Sequence, residues 1–225
     1  MKIVLGLGNP GSRYARTRHN VGWMALDIIA ERLRTEFQPG VGDYYAAEGS
    51  WRGRKVVLIK PTTWMNNSGL AARQVVRHYS GSPEELLVLV DEVQFPVGKI
   101  KLTPSGSSGG HNGLESLLYE LGTENFPRLR LGVGNDFGPG EMVDYVLSTF
   151  KESEGEELGG MLNRAKDATL LWIAEGTAKA MNQVNARKRE KSSKESATNS
   201  PKDDTEKSVA DSNIGQSDNN ISTKS

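Results

Sequence analysis

Apolar positions along the chain fall into short unbroken runs separated by amphipathic stretches, and that alternation sets the expected elements. Residues 3–7 and 86–90 are continuous apolar runs of strand length, the pattern of strands buried on both faces. Residues 97–102 and 129–133 also read as strands, and 44–51 with 55–59 as a pair joined by a turn at Gly53. A helix is predicted over 21–34, with Trp23, Met24, Ile28, Ile29 and Leu33 on its buried side and Asn20 as its cap. Further helices are expected over 68–79, 114–121, 141–148 and 152–183, while Ser82-Pro83-Glu84-Glu85 marks a single helical turn. The order is that of an α/β protein: one domain with a mixed, largely parallel twisted sheet flanked by helices, its strand order unreadable.

Composition changes this picture mainly at the end of the chain. The formal net charge is zero, yet residues 190–225 hold five Lys and seven Asp or Glu, with no aromatic residue. Such a stretch buries too little apolar surface to offset the entropy of ordering. The division expected is a catalytic domain over 1–187 and a disordered polar tail over 188–225. There is no cysteine, so thiol chemistry and disulfides are excluded and a reducing compartment fits. No secretory signal pattern opens the chain, and no run approaches the roughly 18–20 apolar residues that span a bilayer. A soluble, cytoplasmic protein is expected.

After the first strand comes GLGNPG, in which Gly6, Gly8 and Gly11 spell the glycine fingerprint of dinucleotide-binding turns. The context argues against that use. A dinucleotide turn opens directly into a helix whose first amides meet the pyrophosphate. Here Pro10 removes an amide, SRYARTRHN follows with little apolar periodicity, and the acidic residue at the expected distance, Glu31, lies inside a helix. An NAD-dependent oxidoreductase is therefore disfavoured.

The polar residues near predicted strand exits are more telling. Asn9 and His19 follow the first strand, Asn66 follows the strand ending near residue 59, Asp91 directly follows 86–90, and Asn112 lies after 97–102. Ligands of open α/β sheets bind beyond the carboxyl ends of the strands, so these residues predict a polar cleft with a single imidazole. Without a cysteine or a G-x-S-x-G elbow, a covalent acyl-enzyme has no evident nucleophile. The three histidines, His19, His78 and His111, show no metal-ligand spacing. His78 suits the end of its helix, and His111 is open to roles as ligand, substrate contact or, preferred, a brace for its loop. His19 is the best base, with Asp91 as the carboxylate that would orient it.

These residues sit in motifs that resemble bacterial peptidyl-tRNA hydrolases. GLGNPGSRYARTRHNVG, KPTTWMNNSG, DEVQFPVG, GSSGGHNGLESL and FPRLRLGVG follow the order and spacing of that family over most of residues 3–150. The resemblance implies cleavage of the ester between a peptide and the terminal ribose of tRNA, recycling peptidyl-tRNA shed from ribosomes. It implies His19 as the general base, Asp91 as its orienting partner, and Asn9 as the residue sensing the peptide beside the ester. Tyr14, Trp64, Asn66 and Asn112 correspond to positions near the tRNA 3′ end, although Tyr14 and Trp64 could equally be apolar cleft walls. Arg130 fits a family position that grips an acceptor-stem phosphate. Arg13, Arg16, Arg18, Lys99, Lys101 and Arg128 are further candidate phosphate contacts. The chain departs from the family at Thr103 and near Ser105, where basic residues are common, and Lys101 is the candidate to replace that charge. The family implies no metal, no cofactor, no membrane, no obligate protein partner and a monomer. Relatives recruited for intron splicing keep open the alternative of a non-catalytic RNA-binding scaffold, although His19, Asp91, Asn9, Asn66 and Asn112 are all intact.

Overall fold

A computed structural model describes residues 1–196. Seven strands form one sheet: β1 (Lys2–Gly6), β2 (Gln38–Pro39), β3 (Tyr44–Trp51), β4 (Arg54–Pro61), β5 (Leu86–Glu92), β6 (Ile100–Thr103) and β7 (Arg128–Gly132), in the order β2-β3-β4-β1-β5-β7-β6. The central strands β4, β1, β5 and β7 run parallel. The outer strands β2, β3 and β6 join antiparallel. Among the described residues there are six α-helices, α1 (Val21–Leu33), α2 (Ser68–His78), α3 (Asn112–Leu121), α4 (Met142–Val146), α5 (Gly155–Glu175) and α6 (Thr177–Ser196).

Strand alternation divides the core between the two faces of the sheet. Ile3, Leu5, Val57, Ile59, Val88 and Val90 pack under α2 and α3 with Ala71, Val75, Leu114 and Leu117. Val4, Leu58, Leu87, Leu89 and Leu131 face α1 and α5, meeting Leu26, Ile29, Met161 and Trp172. The single α/β domain expected from the sequence is the observed architecture.

Several local expectations need correction. The helix predicted over 152–183 is two helices, because Gly176 adopts φ 81° and ψ 178° and α6 restarts at Thr177. The two-residue strand β2 carries no pattern long enough to read. The predicted strand 97–102 contracts to β6, and its antiparallel direction matters more. Its last residue Thr103 pairs with Arg128, the first of β7, so the chain leaves β6 at the edge opposite the cleft. Asn112 is thus delivered by a returning loop, not by a strand exit. Helix α6 also continues to Ser196, past the expected boundary at 188; residues 197–225 of the predicted tail lie outside the described residues. Among the described residues no helix is long and apolar enough to cross a membrane.

Gly6, the first of the opening glycines, and Gly22 of α1 permit close helix packing. A Cβ at Gly6 would stand 2.6 Å from the Gly22 carbonyl oxygen, and one at Gly22 would stand 2.6 Å from the Leu89 oxygen. Contact of this kind brings the start of α1 against β1 and β5, so the turn before α1 ends directly above the strand tips. Replacing Gly22 with Ala is expected to cost about 1–3 kcal/mol through overpacking against backbone. The check is the urea midpoint at constant slope, and an unchanged midpoint would show that α1 does not need this approach.

Candidate active site

Of the two short 3-10 turns that SRYARTRHN forms between Gly11 and α1, Ser12–Tyr14 and Arg18–Asn20, the second carries His19. Its two outer residues fix the histidine between them. Arg18 is 1% exposed; its Nη1 donates to the Val133 carbonyl at 2.8 Å, and its Nη2 meets Glu154 Oε2 at 2.7 Å. The guanidinium lies between the rings of Tyr145 and Phe150, 4.5 and 4.7 Å from their centroids. Asn20, fully buried, stands at the N-cap of α1 without capping it. Its side chain instead accepts from Asn9 N–H at 3.0 Å and donates to the Asn9 carbonyl at 2.9 Å. His19 is thereby held between two immobilised neighbours.

Asp91, on β5 and 6% exposed, receives the histidine. His19 Nδ1 lies 2.9 Å from Asp91 Oδ2, which leaves Nε2 for the cleft. The other carboxylate oxygen, Oδ1, is 2.8 Å from His111 Nε2. Both imidazoles line the cleft, so the expectation of a single one is wrong. The preferred role of His111, a brace for its loop, is only half of what the ring does. It does brace the loop, since Nδ1 accepts from the Gly113 and Leu114 amides at 3.1 and 3.3 Å, and it also reaches Asp91.

Burial disfavours the charged forms of both His19 and Asp91. At His19 the negative charge of Asp91 and its hydrogen bond outweigh that cost and raise the pKa above 6.5. At Asp91 the positive His19 ring, the His111 ring and their hydrogen bonds hold the carboxyl well below the usual range despite burial. His19, Asp91 and His111 each offer a ligand atom within 4.8 Å of the others, a donor set that divalent transition metals accept. Such an ion would have to replace the hydrogen bonds that now engage both Asp91 oxygens.

The cleft, of about 520 Å³, is lined by Asn9, His19, Trp64, Asn66, Asp91 and Asn112 together with Arg130. Asn9 Oδ1 accepts from Met65 N–H at 2.8 Å, which orients the amide so that its NH2 half is the part left to offer. Asn66 and Asn112 are exposed at the rim. Trp64 is 51% exposed. Tyr14 lies outside the cleft lining and meets Trp64 edge-on at 5.8 Å. Met142, Val143 and Val146 of α4, with Leu147 just after it, add an apolar wall to the cleft.

Among the candidate phosphate contacts, Arg18 and Arg128 are buried and unavailable. Arg128 is 0% exposed, stacks on Phe126 and donates to the Ser107 carbonyl, anchoring the glycine-serine loop from below. Burial lowers its pKa to about 10, with the neighbouring Arg130 charge adding to the effect. Lys99 lies over the Phe95 ring. Lys101 is directly opposite Arg130 on the β6–β7 ladder and exposed, whereas Arg13 and Arg16 are exposed before α1. Arg130 pairs with Glu92, a partner that no pattern in the sequence indicates.

An imidazole held on a buried carboxylate, among amides at the carboxyl ends of parallel strands, defines an α/β enzyme equipped for hydrolysis. Comparison with known proteins gives the particular family. The peptidyl-tRNA hydrolase family model matches residues 3–193. A peptidyl-tRNA hydrolase of Gloeobacter violaceus is 43% identical over 188 residues, covering 83% of this chain and 95% of the relative. That of Desulfitobacterium hafniense is 43% identical, covering 82% of this chain and all of the relative. The crystal structure of peptidyl-tRNA hydrolase from Acinetobacter baumannii superposes with TM-score 0.78 at 32% identity, covering 83% of this chain and 95% of that one. The chain belongs to the peptidyl-tRNA hydrolase family and is a hydrolase.

Removing the counter-charge of Arg18 tests the anchoring of His19. Glu154→Gln leaves a buried guanidinium short of its partner, and breaking such pairs costs about 3–5 kcal/mol. Because Glu154 is 22% exposed, a loss near the lower bound is expected in denaturant unfolding; no loss would show that Val133 and the two rings suffice.

Proposed function

We propose that the protein hydrolyses the ester linking a peptide, or an N-blocked aminoacyl group, to the 3′-terminal ribose of tRNA, with His19 as general base. The observation that carries this reading is the His19 Nδ1–Asp91 hydrogen bond, which fixes the ring with Nε2 toward the cleft. Nε2 takes a proton from water as the water oxygen attacks the ester carbonyl. The carbonyl oxygen gains charge, for which amide N–H groups of the Asn9, Asn66 and Asn112 type are suitable donors. As the carbon–oxygen bond to the ribose breaks, the imidazolium returns its proton to the leaving oxygen. Water is split between acid and alcohol, and His19 regains its starting form.

Asn9, with its carbonyl half engaged by Met65, is assigned to the peptide next to the ester. Trp64 and Tyr14 flank the tRNA 3′ end, and the apolar wall of α4 suits peptide side chains. Arg130 and Lys101 form the phosphate grip, in which Lys101 supplies the charge that Thr103 lacks. Recycling of peptidyl-tRNA released from ribosomes, by a monomer in the cytoplasm without metal or cofactor, completes the reading.

Hydrolysis of N-blocked aminoacyl-tRNA by the full chain is expected to persist in chelator. In His19→Ala it should fall by about 10²–10⁴-fold. Complete inactivity of the pure wild-type protein would favour an RNA-binding scaffold instead. Asp91→Asn should lose less than His19→Ala. Its acid limb should shift to lower pH, because the charge raising the His19 pKa is gone and burial remains. Lys101→Ala should raise KM and reduce the slope of log KM on log salt by about one; an unchanged slope removes Lys101 from the grip.

A further inference from the structure

We propose that His111 is a positioning residue, a neutral imidazole that pins the Asp91 carboxylate for His19. This rests on the hydrolytic reading above. Amide N–H groups only donate, so His111 Nδ1, which accepts from Gly113 and Leu114, must present its lone pair to them. The ring proton is then on Nε2, and it is donated to Asp91 Oδ1 at 2.8 Å. The two amides belong to the first turn of α3, whose positive end favours this polarity.

A continuous relay of donors results: helix amides to His111, His111 to Asp91. From the other side His19 Nδ1 donates to Asp91 Oδ2. With one bond on each oxygen, the carboxylate cannot rotate without breaking one of them. The arrangement also divides its charge. The two rings lie 4.9 Å apart, so a second imidazolium would oppose the proton that His19 must accept. A neutral donor avoids that repulsion. The other titratable groups lining the cleft are Glu92 of β5 and Arg130 of β7, which pair with each other.

His111→Asn separates the two tasks of the ring. Asn is a good N-cap and carries an acceptor for the two amides, but has no donor at the position of Nε2. The unfolding midpoint should stay at the wild-type value, kcat should fall about tenfold and KM should change by less than about twofold. The acid limb of kcat/KM should move to higher pH, since the whole Asp91 charge then acts on His19, opposite to the shift expected in Asp91→Asn. His111→Ala should show the same kinetic change together with a lowered midpoint. Wild-type kcat and acid limb in His111→Asn, with only His111→Ala destabilised, would reduce His111 to a helix cap and overturn the proposal. Nitrogen NMR of the three imidazoles in the wild-type chain is independent of any variant's folding. A protonated Nε2 and unprotonated Nδ1 at His111 near neutral pH is expected; a protonated Nδ1 overturns the proposal. If the wild-type protein fails to hydrolyse the ester, the functional reading falls, while the tautomer measurement still decides the hydrogen-bond relay.

Discussion

A carboxylate buried at the end of a central strand is costly unless its charge is answered, and at Asp91 it is answered twice. His19 and His111 each engage one oxygen, at 2.9 and 2.8 Å. From that arrangement follow the low pKa of Asp91, the raised pKa of His19 and the single direction in which His19 Nε2 can act. Three segments far apart in the chain must meet there: the turn before α1, the end of β5 and the start of α3. The rest of the fold holds them in place.

The parallel centre of the sheet puts the ends of β1 and β5 side by side, so Asn9 and Asp91 share one edge. Close contact between Gly22 and the Leu89 carbonyl then lets the turn carrying His19 come down onto Asp91. Arg18 and Asn20 prevent that turn from swinging, through a buried ion pair on one side and an amide exchange with Asn9 on the other. His111 arrives by another route, on a loop that crosses back from the far edge and is tied to Arg128. The proposed function depends on buried polar contacts between loops, and the apolar core supplies the frame to which they are attached.

Much of the frame was legible in the sequence because apolar periodicity reports burial directly. Strands β1 and β5 and helices α1 and α2 follow from it within a residue or two. The direction of β6 was not legible, since an edge strand pairs either way and only its partner's register decides. The break at Gly176 was hidden in a pattern that stays amphipathic on both sides. At the site, Asn9, His19 and Asp91 could be placed together from their positions after strands. The second role of His111 could not, because its distance from Asp91 depends on a loop path that no local pattern specifies. Arg18 and Arg128 looked like surface cations; charge alone does not reveal that aromatic rings and carbonyls bury them.

The proposed role of His19 is to exchange one proton through Nε2 while Asp91 holds Nδ1. Its most direct test is to follow the His19 ring by NMR across pH and to measure the rate of ester hydrolysis on N-blocked aminoacyl-tRNA over the same range. A ring midpoint above the ordinary value of 6.5 and an acid limb of activity with the same midpoint are expected. An acid limb that departs from the His19 titration, or a ring midpoint below 6.5, would contradict that role.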